Sequence, residues 1–189
     1  MTDTQKTMDQ KPSQPQGAGM MKYGLIVAML VLILDQISKW WILKGLDLPA
    51  LGSVELLPFL NFTMVWNRGI SMGLITPDTM TGQILLAGGT VVIMAVLAVW
   101  LKKASTKVEG YALAAVLGGA AGNLIDRFFH GAVVDFVHFH AFDYHFYVFN
   151  LADAAISLGV VALLIDSFIN DRLQRTEKNI KTTDKSSMD

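Results

Sequence analysis

The chain has 189 residues, 52% of them hydrophobic and 16% charged, with a mean hydropathy of +0.44 and a net charge of −1. Ordinary soluble domains run near a quarter charged, so this chain is short of the groups that keep a surface in water. The lack of cysteine excludes a disulfide scaffold, a cysteine nucleophile, an Fe–S cluster and a Cys-ligated zinc, and the balanced charge gives no basic footprint for nucleic acid.

Residues 1–21 are rich in Gln, Lys, Thr, Pro and Gly and carry no apolar face, as expected of a disordered tail. Four spans follow, at about 23–41, 83–101, 111–129 and 149–169, each close to the ~20 residues that cross ~30 Å of hydrocarbon. They form one membrane domain over 22–169, followed by a polar tail over 170–189. Lys22 and the apolar run after it fit the start of a cleaved leader, but no small-x-small site follows, so the first span is expected to be retained. No internal repeat is visible.

Basic residues set the orientation. Lys6, Lys11 and Lys22, then Lys102, Lys103 and Lys107, then Arg172, Arg175, Lys178, Lys181 and Lys185 fall on one side, eleven of the fifteen in the chain. The positive-inside rule makes that side cytoplasmic, with both termini there and the other two loops outside. Those outer loops are β-prone: residues 54–66 end in Phe62-Thr63-Met64-Val65-Trp66, and residues 132–149 are rich in aromatic residues and valine and read as strand-like. The expected fold is therefore an all-α membrane protein of four transmembrane helices with a small β-sheet on its outer face.

An ionisable side chain inside a span costs about 2.5–3.5 kcal/mol on insertion scales, so each one is a functional candidate. Asp35, Ser38 and Lys39 share a helical face in the outer third of span one, and Asn123, Asp126 and Arg127 repeat that spacing at the outer end of span three. Asn150 and Asp153 open span four, Asp135 follows span three, and Asn67 with Arg68 precedes span two. Four segments thus deliver polar groups to one depth. Plain roles compete for each group: Lys39 could pair with Asp35, Arg127 with Asp126 or another span-end carboxylate, and Asn123 and Asn150 could be helix-binding hydrogen bonders or caps. Asp153 could be a first-turn acid favoured by the helix dipole. Asp135 and Asp153 stand out as acids with no adjacent base. Asp166, near the cytoplasmic end of span four, has no assigned role.

Gly118 and Gly122, four apart, form a small-xxx-small face for close helix approach. All four histidines fall between 130 and 145; His138-x-His140 with Asp135 is a weak candidate zinc set, since the same alternation is an ordinary interfacial pattern, and it is the basis of one alternative, a metal-dependent membrane hydrolase. A proton- or cation-coupled transporter is a second alternative, although it would want acids at the midplane and usually repeats.

Five blocks carry a resemblance. They are Asp35-Gln36-Ile37-Ser38-Lys39, Asn67-Arg68-Gly69, the run Gly118-Gly119-Ala120-Ala121-Gly122-Asn123-Leu124-Ile125-Asp126-Arg127, then Gly131-Ala132-Val133-Val134-Asp135-Phe136, and Phe149-Asn150-Leu151-Ala152-Asp153. In this order the chain resembles the lipoprotein signal peptidases (signal peptidase II) of bacterial inner membranes over about residues 23–169. The resemblance implies an intramembrane aspartic endopeptidase with a catalytic dyad at Asp135 and Asp153. Asp35, Lys39, Asn67, Gly69, Asn123, Asp126, Arg127, Asn150 and Ala152 match the motif positions that support the dyad or contact substrate. It further implies a diacylglyceryl-modified prolipoprotein as substrate, cut just before the lipidated cysteine near the periplasmic face, with no metal or cofactor. Membrane lipid and substrate are the expected partners of a monomer. Met72 stands where many members carry an aromatic residue.

Overall fold

The computed structural model describes residues 16–69, 80–141 and 144–186. Its helices are α1 (Gln16–Trp40), the single turn α2 (Leu48–Leu51), α3 (Met80–Lys102), α4 (Lys107–His130) and α5 (Leu151–Ser186). The strands are β1 (Ser53–Leu57), β2 (Leu60–Asn67), β3 (Val133–Ala141) and β4 (Tyr144–Phe149). Among the described residues, four helical stretches are long and apolar enough to cross a membrane. They coincide with the four expected spans, and the β-prone loops form the expected sheet.

The helix ends differ from the sequence expectation. α1 begins at Gln16, inside the stretch expected to be a disordered tail, and a five-residue π turn, Trp41–Gly45, extends it. α5 continues to Ser186, roughly 54 Å at 1.5 Å per residue, well past the apolar window that ends at Arg172. Polarity marks where a helix leaves hydrocarbon, not where its backbone hydrogen bonds stop.

α4 is the central helix. Just over half of its apolar window (56%) is buried, against 6–11% for the other three, whose side chains face outward as lipid-facing surfaces do. The glycines explain why α4 can take the centre. Gly118 lies against the Ala28 carbonyl of α1, Gly122 against the Asp35 carboxylate, and Gly119 against the Ala152 carbonyl of α5. A side chain at any of these would push a neighbouring helix away.

The sheet is antiparallel in the order β1-β2-β3-β4. Side chains alternate along β3. Val134 and Phe136 pack with Ile42 of the π turn and Leu48 of α2 in a small apolar core, while Asp135 points to the other side. Val65 pairs with Asp135 and Asn67 with Val133, making Asn67 and Asp135 diagonal neighbours on one face. Gly131, left-handed at φ 67°, ends α4 with its N–H on the Arg127 carbonyl and turns the chain into β3. At the opposite end of the bundle, Thr106 caps α4 by accepting from Glu109 N–H at 3.0 Å, and its hydroxyl donates to Asp166 at 2.9 Å.

Candidate active site

The polar residues converge at the sheet end of the bundle. Lys39, 2% exposed, is held by three acceptors: Asp35 Oδ2 at 2.8 Å, Asp126 Oδ2 at 2.7 Å and Asn123 Oδ1 at 3.0 Å. An ammonium has three protons, so this buried cation is saturated. Asp35 Oδ1 accepts the Ala152 N–H at 2.9 Å in the first turn of α5, where the helix dipole favours an anion. Asp126 also accepts the Val134 N–H at 3.1 Å, which ties α4 to β3. Gln36, quoted in the motif without a role, donates to Asp35, to Asp126 and to the Gly122 carbonyl.

The second half of the site is a relay of amides. Asn123 Nδ2 donates to Asp153 Oδ1 at 2.8 Å. Asn150 Nδ2 donates to Asn123 Oδ1 at 3.1 Å and to Asp135 Oδ1 at 2.7 Å. Asn67 Nδ2 donates to Asp135 Oδ2 at 2.9 Å, while its own Oδ1 accepts the Gly69 N–H at 3.1 Å. Gly69 sits at φ 136°, a region that favours glycine. Asn150 and Asp153 also cap α5 reciprocally: Asp153 N–H donates to Asn150 Oδ1 at 2.9 Å and Asn150 N–H to Asp153 Oδ2 at 3.3 Å. The plain capping role of Asp153 is therefore real, and it coexists with a place in the acid network.

Asp135 and Asn150 are fully buried. Burial pushes the Asp135 carboxyl up to about 6; the Asn67 and Asn150 hydrogen bonds oppose this, and the charge of Asp153 adds to it.

The Lys39–Asp35 pair forms as the spacing suggests, but Arg127 does not pair with Asp126. Adjacent residues on a helix face different ways, and Asp126 is taken by Lys39. Arg127 donates instead to the Asn123 carbonyl at 3.2 Å; among the described residues its buried Nε has no partner. Arg127 edges an open apolar groove of about 810 Å³ between α3 and α4, lined by Ile84, Val91 and Phe128. His138 and His140, on the side of β3 away from Asp135, meet Thr63 and Asn61 at 3.1 Å. Among the described residues no three His, Asp or Glu side chains gather as a metal site. Tyr147, which the sequence offers only as one aromatic in a strand, places its hydroxyl 2.7 Å from Asn67 Nδ2. Met72 lies outside the described residues.

Two acids from different elements, joined by amides beside a saturated lysine, with Asp153 lining an apolar groove along α5, define a polytopic membrane protein with a carboxylate-centred site at one end of its bundle. The comparisons are specific. The family described as Signal peptidase (SPase) II matches residues 27–169, and the chain belongs to that family of peptidases. It is 43% identical over 152 residues to the lipoprotein signal peptidase of Rhodopseudomonas palustris CGA009, covering 78% of this chain and 93% of the relative. It is 46% identical over 144 residues to that of Methylorubrum extorquens PA1, covering 76% and 84%. A bacterial membrane enzyme solved in meso at 2.3 Å superposes with a TM-score of 0.66 at 30% identity, covering 79% of this chain and 90% of that one.

Proposed function

We propose that this chain is an aspartic endopeptidase that removes signal peptides from diacylglyceryl-modified prolipoproteins, cutting just before the lipidated cysteine. Asp135 and Asp153 are its catalytic pair. The observation that carries this reading is the amide relay, in which Asn150 and Asn123 bond to each other and each holds an oxygen of one acid. Such an arrangement brings two carboxyls into one low-dielectric network, where both cannot easily ionise and a single proton is shared.

The ionised partner takes a proton from a water lying between the acids, and that water attacks the scissile carbonyl. The protonated partner donates to the carbonyl oxygen, and a proton then passes to the leaving amine. This chemistry needs neither a covalent intermediate nor a metal. Asp35, Lys39 and Asp126 brace α1 against α4 and α5, Asn67 and Gly69 hold the Asp135 side, and Arg127 faces the substrate. Ala152 supplies a backbone N–H and is small enough for α5 to approach α4. Both acids come from one chain, so a monomer is a complete enzyme. The clustering of basic residues at the end of the bundle away from the sheet supports cytoplasmic termini and a site near the periplasmic face of the inner membrane. The names of the relatives support the substrate class.

Purified protein incubated with a lipidated precursor peptide tests this. Cleavage before the lipidated cysteine is expected to survive chelation and to fall by about 10²–10⁴-fold in Asp135→Asn and in Asp153→Asn. Activity lost on chelation and restored by zinc, or retained in either variant, would overturn the proposal.

A further inference from the structure

Tyr147 lies at the rim of the polar network, outside the motif positions. Asn67 Nδ2 donates to Asp135 Oδ2 and to the Tyr147 hydroxyl oxygen together, at 2.9 and 2.7 Å. The phenol is thus an acceptor in that bond, and its own O–H remains available as a donor. Among the described residues nothing accepts it. The amides of Asn67 and Asn150 are spent, each with both side-chain N–H groups engaged. Among the described residues, Tyr147 keeps an O–H, Arg127 an Nε–H and Asn123 one amide N–H unspent beside the two acids. Burial of the hydroxyl, and then the charges of Asp135 and Asp153, hold the phenol above its ordinary pKa, so it stays protonated.

The ring has a second property. It is 70% exposed, although its polar end is anchored inward. With Phe149 it forms the common wall of two apolar grooves. One crosses the sheet past Phe59 and Phe139 (about 550 Å³), and the other runs along α5 past Asp153 and Leu158 (about 520 Å³). Phe139 stacks on Phe149 at 5.8 Å, which stiffens the wall. An extended chain lying across Asp135 and Asp153 presents peptide carbonyls that lose water on binding and need donors.

We propose that Tyr147 binds the substrate backbone: its hydroxyl, aimed by Asn67, donates to a peptide carbonyl beside the scissile bond, and its ring divides the apolar segments on the two sides. This rests on the peptidase reading above and adds a contact to it. The competing role is indirect, with Tyr147 merely steadying Asn67 against Asp135.

Kinetics on the lipidated precursor peptide separate the two. Tyr147→Phe is expected to lower kcat/KM about three- to tenfold, the worth of one neutral hydrogen bond, with the pH midpoint and the melting temperature unmoved. Tyr147→Ala is expected to raise KM further, because the groove wall goes with the ring. A Tyr147→Phe variant with wild-type kcat/KM, or one whose loss comes only from a displaced pH midpoint, overturns the inference while leaving the peptidase reading standing. Wild-type protein that leaves the precursor intact overturns both.

Discussion

At the residue scale, the site is organised by a division of labour among carboxylates. Asp35 and Asp126 are committed to Lys39 and to backbone N–H groups, which makes them poor proton carriers and good braces. Removing one partner from such a cluster leaves an uncompensated buried charge. Asp135 is held by neutral amides instead, so no cation locks it in the ionised form. Burial pushes its carboxyl up to about 6. A raised pKa means that the protonated form is favoured, and in the proposed mechanism the pair works with one proton between its two acids. Activity is therefore expected to be lost as pH rises and that proton leaves. The alkaline limb of kcat/KM is predicted to centre near pH 6, with the limb of kcat higher, because a bound apolar substrate drives more water from the acids. A kcat/KM that stays level up to about pH 9 would rule out this titration. Asp135 and Asp153 are legible in the sequence as acids without a neighbouring base. The three-way grip of Lys39 and the part played by Tyr147 are not, because a hydrogen-bond partner 80 residues away leaves no mark on local spacing.

At the element scale, precision comes from how closely α1 and α5 approach α4. The spacing of Gly118 and Gly122 indicates a close-packing face, but only the packing shows that both meet α1 while Gly119 between them meets α5. A Cβ at Gly122 would strike the Asp35 carboxylate and push it off Lys39 and the Ala152 N–H. Gly122→Ala is predicted to cost about 1–3 kcal/mol by overpacking and to reduce cleavage sharply. Gly89→Ala on α3 is the matched control: its Cβ meets nothing within 4 Å, and better helix propensity should leave the melting temperature equal or higher. Equal melting temperatures and activities for the two variants would refute a special role for the α1–α4 approach. The cap on α5 follows the same logic, since Asn150 and Asp153 set where the helix starts and thereby where an acid sits.

At the scale of the whole molecule, four apolar stretches surround one polar end. Positive charge at the other end predicts that the sheet lies outside the cytoplasm. The lack of cysteine makes a direct test simple. Ser53→Cys in β1 and Lys103→Cys after α3 are both exposed positions at opposite ends of the bundle. In intact spheroplasts a membrane-impermeant maleimide is expected to label Ser53→Cys at once and Lys103→Cys only after permeabilisation. The reverse pattern would invert the topology and put the site on the wrong side for an exported substrate.

By itself, the sequence determined the spans, the sheet-forming loops and the common depth of the polar groups. Hydropathy and the cost of charge in hydrocarbon act residue by residue and can be read locally. The family signature was equally legible, because its blocks are contiguous. Tertiary structure alone decided which acids are braced by Lys39, that Asn123 and Asn150 link Asp135 to Asp153, and that Tyr147 meets Asn67 beside Asp135. Those outcomes depend on strand register, on helix rotation and on competition for a limited set of donors. Two residues far apart in sequence settle them together once the chain has closed.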